Sequence, residues 1–477
     1  MKAPFSLFLD DITPYLKELL ALLNQRYEYV SILSTDSTGL NVSISQHQKS
    51  VSNETMTTER GTVIRVYRDG CYSEYALNTY DRDHVGETAD KITKILDEQL
   101  EILKEAGGSV YETGKLSDEP LELFVEKECG CLPEDADIRE IVEKLSAVSD
   151  KGMTMSENII ECMARAQSTH VNKLFLTKNR YLRQSYVYSE GGVVAIMAKD
   201  GQNKIAVEGI SGLKGPELFD SLADLLPKAV AFGEDLLKSE RIVPGEYEVI
   251  ATPEISGLIA HEAFGHGVEM DMFVKGRALG SEYIGKRVGS DLVTMHEGAL
   301  CAEDVTSYAF DDEGTLAGDV IEIDRGILKT GICDALSALR LGTQPTGNGK
   351  RENYEHKVYT RMTNTIFDAG NDKVEDMIAS ISHGYLLEGV ESGMEDPKHW
   401  GIQCIMACGR EIKDGKLTGK VVSPVIMTGY VPDLLNNITM ASGEAKVFGT
   451  GGCGKGHKEW VKVSDGGPYL KTKARLG

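Results

Sequence analysis

Phe448-Gly-Thr-Gly-Gly-Cys-Gly-Lys-Gly-His457 admits three readings, and they demand different folds. From Gly449, two glycines with four residues between them precede Lys455, which is phosphate-loop spacing, but Gly456 stands where a Ser or Thr would hold magnesium. Gly449-x-Gly451-x-x-Gly454 is also a formal dinucleotide fingerprint. Both need a strand before the loop and a helix after it. The following residues, 456 to 468, are punctuated by glycine and proline, so no βαβ unit is expected. The third reading remains: a ribbon of close-approach backbone that offers the thiol of Cys453 to something bound elsewhere, with Gly449, Thr450, Gly451 and Gly452 along the path of an extended ligand.

Outward from the ribbon, the C-terminal half is rich in strands and glycine. Asp414-Gly415 is a strong hairpin signal between residues 402–412 and 417–427. Few helices and many glycines predict a curved sheet or barrel. In the first half, residues 28–77 alternate as an antiparallel meander, preceded by a helix over 14–24 and followed by one over 90–105. Acidic stretches at 116–128 and 133–137 read as surface connections before a helix to about Val148. A second strand cluster over 171–207, with turn signals at 178–180, 190–192 and 200–201, echoes the first and suggests internal duplication. Pro216 opens a helical stretch to Lys238 that Pro227 should interrupt. The expected class is α+β: a domain over 1–240 of antiparallel meanders with helices, and a domain over 241–477 that is glycine-rich, mainly antiparallel β, and carries a metal-binding helix.

At 477 residues the chain is long enough for two or three domains. With 41% hydrophobic and 26% charged residues it reads as soluble and globular. No apolar run reaches the ~18 residues a bilayer requires, so no membrane role is expected. Near the N-terminus Asp10 and Asp11 interrupt the apolar residues before a signal-peptide core can form, which makes cytoplasmic the expected location. Nine cysteines without paired CxxC frameworks read as reduced thiols, Cys404 and Cys408 among them as core residues. A net charge of −23 repels phosphate backbones and argues against nucleic acid. Lys471, Lys473 and Arg475 read as a solvated end.

The chemistry concentrates in Ile259-Ala-His261-Glu262-Ala-Phe-Gly265-His266-Gly-Val-Glu269-Met-Asp271. A His-Glu pair followed closely by a second His is a zinc-hydrolase layout, yet the histidines are five apart rather than four. On a regular helix that spacing separates the rings by roughly 140°. A π-bulge brings them to one face, and Gly265 is where such a distortion is cheapest. Glu262 would otherwise be a lone carboxylate in an apolar segment. A catalytic zinc takes three protein ligands, so a third must come from Glu269, Asp271, His296, His383, His457 or Cys453. His356, His383 and His399 each read more simply as surface or satisfied core residues.

The segment His261–Glu269, together with Arg361-Met-Thr-Asn-Thr365 and Gly449-Thr-Gly-Gly-Cys453-Gly, resembles the TldD branch of the TldD/PmbA family of zinc metallopeptidases. Glu59-Arg-Gly-Thr-Val-Ile-Arg-Val-Tyr67 resembles that family's first domain, so the likeness spans most of the chain. The resemblance implies one zinc per active subunit on His261, His266 and Cys453, with Glu262 as general base. It further implies hydrolysis of small or unfolded peptides inside the cavity of a dimer, either a homodimer or a heterodimer with an inactive TldE/PmbA-like paralogue. Two departures touch substrate contacts: Glu269-Met270-Asp271 where Glu-Gly-Asp is expected, and Ile366-Phe367 in place of a Tyr-Met type pair. The competing reading is a non-enzymatic peptide-binding scaffold with a structural zinc.

Overall fold

Alternating apolar residues in the first half pair as the meander requires, and the computed structural model describes residues 1–106, 112–455 and 459–477. Gly456 and His457 lie outside the described residues. The strands Tyr29–Ile44, Arg60–Arg68 and Cys71–Leu77 are antiparallel neighbours. Ile159–Thr177, Arg180–Lys199 and Gln202–Gly212 form the second meander. The two are one eight-stranded sheet, because Tyr29–Ile44 also pairs with Ile159–Thr177, from Ser31↔Thr177 to Ile44↔Ala164. Helices Leu7–Leu23 and Val85–Glu105 cover one face, burying Leu9, Ile12, Leu16, Leu19, Ile92 and Leu96 against Ile32, Ile64 and Leu174. Each such side chain contributes about 1.5–3 kcal/mol relative to exposure.

Four local expectations differ from the structure. The first helix begins seven residues before Pro14, where the Ser6 hydroxyl accepts the Leu9 N–H as a cap. The acidic stretch holds a strand, Leu121–Glu126, parallel to Arg180–Lys199 and alternately half-buried, whose glutamates face out. Glu190-Gly-Gly192 is no turn but the middle of a strand: a Cβ on Gly191 would sit 2.9 Å from the Arg165 carbonyl oxygen, and one on Gly192 would sit 2.6 Å from that of Glu208. These glycines serve close approach. Pro227 does not break a helix; a 3-10 segment, Pro216–Leu225, gives way to Leu226–Leu237, and Pro227 lies in the first turn, where its missing N–H costs nothing.

The C-terminal sheet closes on itself. Gly245–Ala251, His383–Asp396, Gly401–Lys413, Val425–Tyr430 and Ser464–Leu476 form a ring, since Ser464–Leu476 pairs with both Val425–Tyr430 and Gly245–Ala251. Closure removes free edges from these five strands. Asp414 and Gly415, at φ 49° and 74°, make the expected hairpin turn. The returning strand is split, however: Lys416–Val422 stops before Pro424, which has no ladder N–H, and Val425–Tyr430 resumes. Cys404 and Cys408 are fully buried. Lys471, Lys473 and Arg475 belong to the closing strand rather than a loose end, and Lys471 pairs with Glu248 at 3.0 Å.

The first sheet meets the C-terminal half through buried ion pairs. Arg65 binds Glu74 at 2.6 Å and also Glu313, while Arg351 reaches Glu74 at 2.6 Å.

Candidate metal centre

The helix Pro253–Ala260 lies inside the barrel wall, with Ile255, Ile259 and Ala260 in the core. It approaches the closing strand so closely that a Cβ on Gly257 would lie 2.6 Å from the Gly466 nitrogen. At His261 the winding changes: His261–Gly265 is a π-turn, in which the His266 N–H donates to the His261 carbonyl. This is the i to i+5 correction the spacing demanded. The histidine rings consequently meet, with centroids 5.1 Å apart and planes at 89°. Gly265 is packed tightly, since a Cβ there would fall 2.2 Å from the Met362 sulfur.

Cys453 arrives from the other side, on a short hairpin of Gly452–Lys455 and Glu459–Lys462. Its Sγ lies 3.3 Å from His266 Nε2, and one donor atom each from His261, His266 and Cys453 all lie within 4.8 Å of one another. Two clamps hold the hairpin. Arg361 donates to the carbonyl oxygens of Cys453 at 2.7 Å and Glu459 at 2.5 Å. Lys455 Nζ reaches Asp271 at 2.7 Å and Glu269 at 3.0 Å, tying the thiol's strand to the turn after the second histidine.

The electrostatics follow from burial and proximity. Burial alone would raise the Cys453 thiol, but the two imidazoles outweigh it and hold it well below its usual range. Burial alone would lower His266, yet the thiolate and Glu269 push it well above the usual range, and His261 is raised to about 9 against the same burial, chiefly by Cys453. Glu269, despite burial, is lowered to about 2 by Lys455 and His266.

These residues fit a zinc ion. A thiolate and two imidazoles are a zinc donor set, and their spacing suits one shared cation. Glu269 Oε2 is 3.2 Å from His266 Nδ1, fixing that ring from its outer nitrogen. His261 Nδ1 is buried and, among the described residues, has no hydrogen-bond partner, and Asp465 Oδ2 stands 3.9 Å from it. Glu262 is 8% exposed and packs on the barrel strand where only glycine fits, since a Cβ on Gly393 would lie 2.4 Å from its Cγ.

Among the described residues the other candidates for third ligand have partners of their own, Glu269 being held at the outer nitrogen of His266. Asp271 is engaged by Lys455 and by Lys275 at 3.0 Å; His296 pairs with Asp319 at 2.7 Å, and His383 lies 3.7 Å from Glu411. Of the ribbon, Thr450 and Gly451 line a cleft of about 690 Å³ shared with Asp465 and Gly209. Gly449 instead donates its N–H to Ser211 at 2.7 Å, and Gly452 faces Met56. Sequence reasoning missed Asp465, Lys455 and Arg361 as parts of the centre. Lys455 carried a signal, a lysine two residues from a thiol, but the phosphate-loop pattern absorbed it.

Residues 244–474 match the family described as PmbA/TldA metallopeptidase C-terminal domain. A metalloprotease TldD homolog of Buchnera aphidicola is 32% identical over 238 residues, 50% of this chain and 49% of that one. A zinc metalloprotease TldD homolog of Saccharolobus solfataricus is 28% identical over 289 residues, 59% of this chain and 62% of that one. The chain thus matches about half to six-tenths of the length of these relatives. In fold it is similar to the crystal structure of TldE from Thermococcus kodakarensis, with a TM-score of 0.74 at 17% identity over 97% of this chain and all of that one. The resemblance carried by the His261, Arg361 and Cys453 segments is therefore met by an independent match of residues 244–474, which hold all three, to the PmbA/TldA metallopeptidase C-terminal domain.

Proposed function

We propose that the protein is a zinc-dependent peptidase of the active, TldD-like branch, hydrolysing amide bonds of small or unfolded peptides. The observation that carries this reading is the convergence of His261, His266 and Cys453 within 4.8 Å, with Glu262 next in sequence to the first ligand. The relatives named metalloprotease and zinc metalloprotease support it. The proposed domains are 1–240 and 241–477, the second holding the centre.

One zinc per active subunit would be held by His261, His266 and Cys453, and when bound it would make a water acidic enough to ionise near neutral pH. Glu262, beside the first histidine in sequence, would serve as the base that accepts a proton from the attacking water and returns it to the leaving amine. Glu269 holds the His266 ring, and Arg361 and Lys455 hold the hairpin so that the thiol keeps its place. In the cleft the backbone at Thr450 and Gly451 offers an extended peptide main-chain contacts with little demand on side chains. The working form is a dimer enclosing the cavity, with itself or with an inactive TldE/PmbA-like paralogue, in the cytoplasm. Among the described residues no helix is long and apolar enough to cross a membrane. Structural zinc sites usually close with four ligands, and three converge here, which disfavours a scaffold with structural zinc.

Glu262→Gln separates the readings. A catalytic base predicts loss of about 10²–10⁴-fold in cleavage of an unfolded peptide, with zinc content unchanged. Full activity in that variant removes Glu262 from the role.

A further inference from the structure

On the far strand of the Cys453 hairpin lies a second set of donors that the peptidase reading leaves unused. Glu352 and His356, on the loop that follows Arg351, meet Glu459 of the strand Glu459–Lys462, and one ligand atom from each lies within 4.8 Å of the others. His356 Nδ1 is 3.1 Å from Glu352 Oε2 and 3.7 Å from Glu459 Oε2. Ligands about 2.1 Å from a tetrahedral ion stand about 3.4 Å apart, and these separations bracket that edge.

Hydrogen bonding does not explain the approach. Both Oε2 atoms are buried and, among the described residues, have no hydrogen-bond partner, even though an imidazole nitrogen is 3.1 Å from one of them. Two carboxylate oxygens turned inward without a donor are costly. The adjacent guanidiniums are directed elsewhere: Arg351 Nη atoms go to Glu74 and the His356 carbonyl, and Arg361 Nη atoms go to the carbonyls of Glu459 and Cys453.

The geometry points to a second divalent-cation site at Glu352, His356 and Glu459, distinct from the centre at Cys453. One imidazole with two carboxylates suits zinc or manganese, and the ring is 39% exposed at its side chain, so water completes the coordination. Fewer soft donors and greater exposure make this the weaker and more readily exchanged site. Because Lys455 pairs with Glu459 and Cys453 with Val461, a filled site ties the strand opposite the thiol to the 351–358 loop.

The inference stands independently of the proposed function, and one measurement distinguishes their failures. Full-length protein, stripped with a chelator and titrated with Zn²⁺, is expected to bind two ions per chain by elemental analysis after removal of excess metal. The Glu352→Gln/Glu459→Gln double variant is expected to bind one, as is Cys453→Ala. His356→Ala, a milder change at a partly exposed ring, is expected to lose the same ion if the double variant folds poorly. With Co²⁺ as the probe, the thiolate charge-transfer band should persist in the double variant and vanish in Cys453→Ala, where a weak d–d spectrum remains. A single ion in the wild type, or two ions in the double variant and in His356→Ala, overturns the second site. Two ions retained in Cys453→Ala would instead overturn the first.

Discussion

Two buried clusters of charge in this protein are built on opposite plans. Where the first sheet meets the C-terminal half, Arg65 donates to Glu74 and Glu313, and Arg351 donates to both Glu74 oxygens at 2.6 and 2.9 Å. In that cluster both Glu74 oxygens and Glu313 are met by guanidinium N–H groups, and Arg351 Nε alone of these guanidinium atoms is buried without a partner among the described residues. At the His261, His266 and Cys453 centre, the donors face one another instead: His261 Nδ1 has no hydrogen-bond partner among the described residues, and the thiol's near neighbour is the Nε2 of a histidine at 3.3 Å. Closed clusters answer to stability, whereas a cluster of lone pairs aimed at a common point answers to a ligand.

The sharpest break of that contrast is Cys453→Ala. It should abolish peptide cleavage and leave almost no bound zinc at the centre, while the metal-free variant unfolds within a few degrees of metal-free wild type, as followed by elemental analysis and thermal melts. A collapse of the metal-free fold would mean the open cluster is a structural one after all. Glu74→Gln should behave in the reverse way. It leaves Arg65 and Arg351 buried with less compensation, at a cost of about 3–5 kcal/mol in denaturant unfolding, with zinc per folded chain unchanged; parallel loss of zinc would show the clusters are coupled.

Acid extends the same test. Burial raises the Glu74 carboxyl, but Arg65 and Arg351 outweigh it and bring it from 4.5 to about 2. A carboxylate depressed in the folded state contributes stability that is fully present above its unfolded value and is lost as pH falls through its folded value. The window is therefore about pH 4.5 down to 2, and the contribution is about 3 kcal/mol. Urea midpoints measured from pH 6 to 3 should fall in the wild type and fall less steeply in Glu74→Gln; equal slopes would assign the acid sensitivity to other carboxyls. The smallest effect expected is that of Glu269→Gln, which loosens the hold on His266 Nδ1 and should weaken zinc binding about 10–100-fold. Isothermal titration of metal-free protein measures it, and an unchanged affinity would mean the ring is held by packing alone.

The legible parts of this fold and centre share a property: they are local along the chain. The five-residue step from His261 to His266 specifies the π-turn because helical angle is a function of sequence separation alone, and the structure forms it. Asp414-Gly415 specified its hairpin for the same reason, both residues adopting positive φ. The misread segments are those where one residue type serves two physical ends. Glycines 191 and 192 signal a turn or a close backbone approach with equal chemistry, and only the neighbouring strands show that it is the latter. The strand Leu121–Glu126 hid under its charge, because the water-facing side of this edge strand carries Glu122 and Glu126 with Phe124 between them.

The third candidate ligand shows the limit plainly. From residue types alone, Cys453 stood beside five alternatives, and the resemblance of the ribbon, rather than its spacing, singled it out. What the sequence determined by itself was the class of elements, the pairing of two imidazoles on one distorted turn, and the presence of a thiol in a glycine ribbon with no helix to follow it. What only the tertiary structure decided was the meeting of Cys453 with residues 187 positions earlier, through Arg361 and Lys455 as clamps and a barrel closed by its last strand. Angles along one helix depend on local backbone geometry, whereas contacts between distant segments depend on how every intervening element packs, which no single stretch of residues encodes.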